Sequence, residues 1–346
     1  MSAFPIHLTA PDFAIDMGTC NTRIYVRGRG IVVNEASIVI TRTDRKNSIV
    51  AVGDSAMEII GRSSDKYKIS FPISRGIITD SEGASVMVNY FVNKAIGKPA
   101  LARPRGVMTM PTGATEPERR TMISTLEKNN VRNIFPVEQA FAAALGTGLP
   151  VYEAQGSMIL SIGGGTCEIA LVALGGMVLR KSVPIAGHSI DMAISNYLKH
   201  KYALSITNTA AELIKIDIPD ILGVENSDRI SVVRGRDIAT GMPMTVDVSM
   251  KEISEAAMQP LRQIAAEVHR ILEQTPPELC ADILQNGIFL TGGTAQLLNL
   301  DQFLASEFGI PVSVAREPSL CAIRGAGYMA DHYDLLKVSK QRKEST

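Results

Sequence analysis

The sequence predicts an α/β fold made of two similar halves, and three observations support this prediction. Segments with strand character alternate along the chain with segments of helical character, which is typical of α/β proteins. A short pattern of residues occurs twice, once in each half. The chain has 346 residues, 45% hydrophobic and 20% charged, so it can bury a substantial core but is too long for one simple core. We therefore expect two lobes.

The repeated pattern is an apolar strand, a turn of small residues and a second apolar strand. It reads F-A-I-D-M-G-T-C-N-T-R-I-Y-V over residues 13–26 and M-I-L-S-I-G-G-G-T-C-E-I-A-L over residues 158–171. When the copies are aligned, Asp16 falls on Ser161. Each copy predicts a β-hairpin. Two unrelated hairpins of common composition are the alternative, but the turns match in position as well as in type.

Local patterns predict the other elements. Residues 106–111 form a predicted strand, and residues 116–129 a helix with Pro117 and Glu118 in its first turn. Small residues over 137–145 predict a further helix. The remaining predictions are a helix over 191–202 with Met192, Ile194, Tyr197 and Leu198 at helical spacing, a helix over 249–274 with a break or kink at Pro260, a strand over 283–290 and a helix over 319–329.

Charge and cysteine content exclude several classes of protein. Lys plus Arg and Asp plus Glu both number 35, so no basic excess indicates a nucleic-acid partner. Zero net charge also favours self-association. The cysteines include no CxxC pair and are expected to be free thiols in a reducing cytoplasm. Neither a signal peptide nor an apolar run of about 18 residues is present, so we expect a cytoplasmic protein.

Three glycine-rich turns each follow a predicted strand, over residues 18–21, 163–166 and 292–294. Glycine lets the backbone approach a ligand closely, and consecutive backbone N–H groups form a concave site for anions such as phosphates. The chain contains neither a P-loop motif nor the G-x-G-x-x-G fingerprint. The sequence therefore predicts a phosphate site built from hairpin turns.

Four polar residues are further candidates, each with a structural alternative. Asp16 beside the first turn could hold magnesium against phosphates, or could cap its own turn. Gln139, at the start of a helix, could orient an attacking water or cap that helix. Glu212 and Lys215 share a helix face and could bind a ribose or adenine, although a solvated ion pair is the more common role.

These motifs resemble the MreB family of bacterial actins. I-D-M-G-T-C-N-T is similar to the family's first phosphate motif, S-I-G-G-G-T-C-E-I-A to its second, L-T-G-G-T-A-Q-L to its adenosine motif and E-Q-A-F-A-A-A-L-G-T-G-L-P-V to its connecting helix. The likeness runs from about residue 13 to residue 329. It implies an actin-like, ribonuclease H-like duplicated fold with two lobes and with ATP and Mg²⁺ in a central cleft.

The resemblance also implies roles for individual residues. Asp16 would bind the metal, and Gln139 and Thr166 would act in catalysis. The nucleotide-binding residues would be Gly18, Thr19, Cys20, Asn21, Gly163, Gly164, Gly165, Glu212, Lys215, Gly292, Gly293, Thr294 and Ala295. The implied subdomains are 1–32 with 76–147 and 320–346 (IA), 33–75 (IB), 148–186 with 250–319 (IIA) and 187–249 (IIB).

Five positions depart from the family pattern. Ser161 replaces an Asp, Gln139 a Glu, Ala140 a Pro, Thr294 a Gly and Cys20 an Ala. Ser161 removes a carboxylate from the surroundings of the metal. We therefore expect nucleotide to bind through backbone N–H groups but to be hydrolysed slowly.

The function implied by the resemblance is an ATP-binding cytoskeletal protein that forms paired protofilaments at the inner face of the cytoplasmic membrane. It would help to determine cell shape by organising cell-wall synthesis. Its partners would be itself and membrane proteins of cell elongation. The alternative is a scaffold with little or no hydrolysis that assembles with another MreB. A small-molecule kinase or a chaperone would need segments that the chain lacks. Residues 1–12 are a poor amphipathic helix, and the loop over 98–103 is either a lipid contact or an ordinary basic loop.

Overall fold

The structure, a computed structural model, describes residues 11–44, 48–60, 66–97, 103–223 and 229–333. The chain divides into two units. The first comprises the residues up to Leu149 together with those from Leu320 onward, and the second comprises Pro150–Ser319. The first ten residues, most of the loop over 98–103 and the polar tail lie outside the described residues.

The elements up to the end of the first unit's main segment are β1 (Phe13–Met17), β2 (Asn21–Val26), β3 (Gly30–Ala36), β4 (Val39–Arg42), β5 (Ile49–Val52), α1 (Asp54–Met57), β6 (Tyr67–Ser70), β7 (Ile73–Ser74), β8 (Ile77–Ile78), α2 (Ser81–Ile96), β9 (Arg105–Met110), α3 (Glu116–Lys128), β10 (Arg132–Glu138) and α4 (Gln139–Gly146).

The second unit contains β11 (Ser157–Ile162), β12 (Cys167–Ala173), β13 (Gly176–Val183), α5 (Gly187–Tyr202), β14 (Leu204–Ser205), α6 (Asn208–Ile216), β15 (Ile230–Asp237), β16 (Pro243–Ser249), α7 (Met250–Glu273), α8 (Pro277–Asn286), β17 (Ile288–Thr291), a 3₁₀ helix (Gly293–Gln296), α9 (Leu300–Phe308) and β18 (Val312–Val314). A 3₁₀ turn (Pro318–Leu320) then leads into α10 (Cys321–Asp331) of the first unit.

Each unit is built on a five-stranded sheet with the same strand order, β3-β2-β1-β9-β10 in the first and β13-β12-β11-β17-β18 in the second. In both sheets the first three strands pair antiparallel, and the last two run parallel to the central strand. Both predicted hairpins are present, as β1–β2 and β11–β12. Because the whole strand order repeats, the two hairpins are parts of a duplicated fold, as predicted.

Apolar burial on both faces holds the central strands in place. β1, β11 and β12 are buried along their whole length, which is typical of strands in a sheet covered on both sides. Side chains alternate between the faces of a strand. In the first unit, Phe13 therefore belongs to the same core cluster as Met87 and Phe91 of α2, whereas its neighbour Ala14 belongs to a second cluster with Ile323 of α10.

Helices α4 and α10 contact each other through their backbones. A Cβ atom added to Gly146 would lie 1.9 Å from the carbonyl oxygen of Cys321, and one added to Gly325 would lie 1.8 Å from that of Ala142. Neither position can accept a larger residue without a shift of the backbone. This contact explains the small-residue composition of both helices.

Among the described residues, two three-stranded sheets and the two-stranded sheet β7–β8 lie outside the five-stranded ones. The order β5-β4-β6 falls within residues 33–75, and the order β14-β15-β16 falls within residues 187–249. These are the segments that the resemblance assigns to subdomains IB and IIB. The subdomain boundaries themselves stay a prediction.

Two predicted element boundaries are wrong. The strand predicted over 283–290 is in its first part the end of α8, which stops at Gly287 with a φ of 78°. Only Ile288–Thr291 is a strand. The segment I-L-Q-N-G-I-F-L has apolar residues at both ends, and such short apolar runs do not distinguish a helical turn from a strand. The helix predicted from residue 137 begins at Gln139, because β10 continues to Glu138.

Two predictions about helix interiors also need correction. The break predicted at Pro260 is wrong, because helix α7 continues through this residue, which is one of its ten buried residues. Packing of those residues outweighs the loss of one backbone hydrogen bond. The alternative of a kink there stays a prediction. Met192 was expected on the buried face of α5, but it is 62% exposed. The buried face instead includes Ile190 and Asp191.

Candidate functional site

The first hairpin turn is closed by its own backbone. The amide of Gly18 donates to the carbonyl of Asn21 at 3.0 Å, and a Cβ on Gly18 would lie 2.8 Å from that oxygen, so glycine is required. Ser37 holds the turn from outside, since its hydroxyl donates to the carbonyl of Gly18 at 2.7 Å and its amide donates to that of Cys20 at 2.8 Å. The side chain of Thr19 accepts a hydrogen bond from the amide of Gly76 at 3.0 Å.

The second hairpin turn repeats this arrangement in the other unit. The amide of Gly163 donates to the carbonyl of Thr166 at 2.9 Å, and the carbonyl of Gly164 accepts from the amide of His188 at 2.8 Å. Among the described residues, none accepts a hydrogen bond from the amides of Gly164, Gly165 or Thr166. Three successive N–H groups with no protein acceptor form the kind of concavity that binds phosphate oxygens.

The third glycine turn packs directly on the second. A Cβ on Gly292 would lie 2.2 Å from the carbonyl oxygen of Ile162, whereas one on Gly293 would meet nothing within 4 Å. The turn continues as a 3₁₀ helix, in which Ala295 is buried. The hydroxyl of Thr294 donates to the carbonyl of Gly163 at 2.8 Å. The residue that departs from the family's glycine therefore ties the two turns together.

Gly187, which the sequence analysis did not single out, is where several candidate residues of the second unit meet. A Cβ at this position would lie 3.0 Å from the hydroxyl of Thr294, 3.3 Å from the carbonyl of Gly163 and 3.3 Å from Nζ of Lys215. Gly187 begins α5, and its amide donates to the carbonyl of Gly163 at 3.0 Å. The structure thus brings Gly163, Thr294 and Lys215 together around one glycine.

Lys215 is not the surface ion-pair partner of Glu212. Its ammonium group is buried and lies 2.8 Å from Oδ1 of Asp191, with a second, longer contact to the carbonyl of Gly187 at 3.4 Å. Burial raises the pKa of the Asp191 carboxyl above its usual range, and the positive charge of Lys215 opposes that rise. Asp191 was missed because it lies on another helix, at no recognisable spacing from Lys215.

Asp16 lies near the end of β1 and is 3% exposed. Its Oδ1 accepts a hydrogen bond from the hydroxyl of Thr109 at 2.6 Å, and its Oδ2 lies 3.5 Å from Nη1 of Arg23. Both of these contacts are with other strands, and the turn beside Asp16 is closed by Gly18 and Asn21. The alternative interpretation of Asp16 as a cap of its own turn is not supported.

A single carboxylate limits how magnesium could be held. In the described part of the chain, no group of three or more His, Cys, Asp or Glu residues is arranged to hold a metal ion. Magnesium on a nucleotide takes most of its ligands from phosphates and water, with one or two carboxylates. One carboxylate, that of Asp16, is sufficient for such a site if it contacts the water shell of the ion.

Gln139 and Asp16 lie at the same edge of the first sheet. Strands β1, β9 and β10 are parallel, so their carboxyl ends meet there, and Val137 is in register with Thr109, the hydrogen-bond partner of Asp16. Gln139 is the first, half-buried residue of α4. Its neighbour Glu138 accepts a hydrogen bond from the amide of Gly113 at 3.2 Å.

Ser161 stands opposite a carboxylate that the sequence analysis overlooked. In the second hairpin, Ser161 is in register with Glu168, which is buried and accepts a hydrogen bond from the hydroxyl of Ser182 at 2.8 Å. In the first hairpin the equivalent pair is Asp16 and Arg23. The corresponding cross-strand positions of the two units therefore carry different charges.

Comparison with known proteins identifies the family. The family model described as MreB/Mbl protein matches residues 10–338. The chain belongs to the MreB/Mbl family. Among curated relatives, the cell shape-determining protein MreB of Escherichia coli is 41% identical over 329 residues, covering 94% of each chain. The cell shape-determining protein Mbl of Bacillus subtilis is 38% identical over 333 residues, covering 96% of this chain and 99% of its own.

Solved structures of an MreB and of MamK share the fold. MreB 5 of Spiroplasma citri bound to AMPPNP has a TM-score of 0.89 at 29% identity, covering 98% of this chain and 99% of its own. A MamK double helical filament has a TM-score of 0.77 at 22% identity, covering 92% of this chain and 99% of its own. The actin-like fold predicted from the motifs is confirmed. None of the helices described here is long and apolar enough to cross a membrane.

Proposed function

We propose that this MreB/Mbl chain binds ATP, polymerises into filaments at the inner face of the cytoplasmic membrane, and organises cell-wall synthesis together with membrane proteins of cell elongation. Nucleotide binding is supported by the AMPPNP bound to MreB 5 of Spiroplasma citri. Filament formation is supported by family membership. Membrane attachment and the elongation partners rest on the resemblance alone.

The main support for nucleotide binding is the hydrogen bonding of the two hairpin turns. Both are closed by the same hydrogen bond, from the amide of the first glycine to the carbonyl three residues later. In each turn, three carbonyls accept hydrogen bonds from protein groups. In the second turn, three successive amides have no acceptor among the described residues. Backbone in this conformation favours an anionic ligand such as a phosphate.

Lys215 and the residues around Gly187 are the proposed nucleoside site of the second unit. Gly293 offers open space for a ligand to approach the backbone closely. Glu212 is half-buried, one helical turn before Lys215 on α6. In the proposal, magnesium accompanies the phosphates and Asp16 contacts its hydration shell. When bound, the ion would supply positive charge that screens the phosphate oxygens.

The second candidate function is a nucleotide-binding scaffold with little hydrolysis, and Ser161 is the specific observation in its favour. Ser161 supplies a hydroxyl where the family has a carboxylate. Loss of a charged group at a metal site costs on the order of 10–100-fold in metal affinity or activity. Gln139 is likewise an amide where the family has a carboxylate, so the candidate metal-side position and the candidate water-orienting position are both uncharged.

Sedimentation of the purified protein with ATP, with ADP and without nucleotide separates these functions when released phosphate is assayed in the same tubes. ATP-dependent pelleting with phosphate release supports an active filament, and pelleting without release supports the scaffold. For the scaffold, Ser161→Asp should then raise phosphate release. Absence of pelleting in every condition, including with anionic liposomes, would contradict filament formation.

The matched control for Ser161→Asp is Ser182→Asp. Ser182 is the partner of Glu168 on β13, so this variant also places a carboxylate beside β12, but on the opposite side of that strand from Ser161. An increase in phosphate release that occurs with Ser161→Asp alone assigns the effect to that position. An equal increase in both variants would contradict the role of Ser161.

A further inference from the structure

The most unusual charged group near the first turn is the guanidinium of Arg23. Its side chain is 15% exposed, and that of its partner Asp16 is 4% exposed. The two residues face each other across β1 and β2, so their side chains lie on the same face of the sheet. The carboxylate that the resemblance assigns to a metal ion therefore already has a permanent positive charge beside it.

The contacts of Arg23 do not satisfy its donors. The closest approach to Asp16 is 3.5 Å, from Nη1 to Oδ2, which is longer than a charge-assisted hydrogen bond. Nε of Arg23 is buried and has no hydrogen-bond partner among the described residues. Because a guanidinium carries five N–H donors, and because a buried donor without an acceptor is costly, this geometry favours an additional anionic ligand.

The contacts of Asp16 also favour an anionic ligand at this place. Thr109 donates to its Oδ1 at 2.6 Å, and Arg23 approaches its Oδ2. Both carboxylate oxygens are therefore already engaged, one with a donor and one with a cation. A divalent ion next to Asp16 would also be repelled by the guanidinium. The pair fits a bound phosphate better than a directly coordinated metal.

We propose that the Arg23 guanidinium binds a phosphate oxygen of the nucleotide and replaces much of the charge that a divalent cation would supply. The proposal rests on the proposed nucleotide binding at the first turn. It adds that the affinity for nucleotide depends only weakly on magnesium. In the second unit, the equivalent cross-strand pair is Ser161 and Glu168, so no equivalent cation stands there.

The test is the affinity for ADP, measured by titration calorimetry with Mg²⁺ and again in EDTA. The readout is the ratio of the dissociation constant in EDTA to that with Mg²⁺. We expect this ratio to be below about tenfold for the native chain and to rise by about ten- to a hundredfold in Arg23→Leu, the loss typical of a hydrogen bond between charged groups. Arg23→Lys, which keeps the charge but not the planar fork, should give a smaller rise.

Arg27→Leu is the matched control. Arg27 follows the same strand and also contacts an aspartate, with Nη1 3.4 Å from Oδ2 of Asp12, but its side chain is 50% exposed. This variant should keep the native ratio. If Arg23→Leu does not fold, as judged by thermal unfolding without nucleotide, Arg23→Lys carries the comparison.

The outcomes separate the two proposals. Two results would overturn the role of Arg23 while leaving nucleotide binding intact. One is that the native chain binds ADP with Mg²⁺ but not in EDTA. The other is that Arg23→Leu and Arg23→Lys leave the ratio within about threefold of the native value. A lower melting temperature with an unchanged ratio makes Arg23 a structural partner of Asp16, which also overturns the proposal. Absence of ADP binding in both buffers overturns nucleotide binding itself.

Discussion

Replacing Asp191 by Asn should destabilise the second unit strongly, because it leaves the charge of Lys215 buried. The ammonium and carboxylate are 2.8 Å apart, with side chains 10% and 7% exposed. Removing one partner of such a buried pair costs about 3–5 kcal/mol, since the remaining charge is desolvated and uncompensated. For a unit of this size, that corresponds to roughly 6–20 °C in the melting temperature.

The matched control is Asp217→Asn. Asp217 and Arg229 form an ion pair of almost the same length, 2.7 Å, in the same unit, but the side chains are 51% and 44% exposed. An exposed pair of this kind contributes about 0–1 kcal/mol. Urea unfolding of both variants without nucleotide gives the two free energies of unfolding under the same conditions.

A double variant separates the charge from the shape of the site. Adding Lys215→Met to Asp191→Asn removes the uncompensated ammonium, so more than half of the lost stability should return. Equal losses in Asp191→Asn and Asp217→Asn would refute the reasoning from burial. A double variant that is as unstable as the sum of its single changes would also refute it.

Three further predictions concern glycine contacts and one titrating group. Gly325→Ala should destabilise the first unit by about 1–3 kcal/mol in thermal unfolding, because the added Cβ would lie 1.8 Å from a backbone oxygen of α4. The loss is expected although Ala is the better helix former. Equal or higher stability would contradict the backbone contact. Gly293→Ala should leave the melting temperature unchanged but weaken ADP binding in calorimetry. Gly292→Ala should instead lower the melting temperature, because Gly292 has a φ of 89° and its added Cβ would lie 2.2 Å from a carbonyl oxygen. Unchanged ADP affinity in Gly293→Ala would place the nucleotide elsewhere. Burial and the hydrogen bond to Asp331 raise the pKa of Tyr25 from 10.0 to about 12. The loss in free energy of unfolding caused by Tyr25→Phe should therefore be constant below about pH 10 and become smaller as the pH rises towards 12, as measured by urea unfolding across that range. A loss that becomes larger above pH 10 would contradict the direction of the pKa shift.

Much of the fold could be predicted because the relevant signals are local. The hairpins around Gly18 and Gly163 combine apolar strands with turns of small residues, and both are present. The helix that follows Thr115 carries a capping box in which Glu118 accepts from the amide of Thr115 at 2.7 Å. Such features depend on residues within one turn or one hairpin, so the sequence contains them directly.

The errors occurred where tertiary packing decides. Ile283 and Leu284 give residues 283–286 an apolar start, but these residues are the last turn of α8, and Gly287 follows as its cap. Pro260 does not interrupt α7 because the buried face of that helix is long. Met192 fits a helical spacing, but the neighbouring positions face the core instead. At Pro260 and Met192, packing against residues of other elements overrides a local preference.

The site was only partly predictable for the same reason. The three glycine turns were recognised from composition, but the partners of their polar neighbours come from other elements. Arg23 meets Asp16 through strand register, and Lys215 meets Asp191 through the packing of α5 and α6. Gly187 carried no signal, because its role is visible only when three segments meet around it.

The most direct test of nucleotide binding at the glycine turns is hydrogen–deuterium exchange with and without AMPPNP, at a protein concentration below that at which pelleting begins. Our account predicts slower exchange of the amides in residues 18–21, 163–166 and 292–295, because phosphate and nucleoside groups would accept hydrogen bonds from them or cover them. The exposed hairpin β15–β16 should be unaffected and serves as the internal control. Unchanged exchange at all three turns, under conditions where calorimetry shows AMPPNP to be bound, would contradict the account.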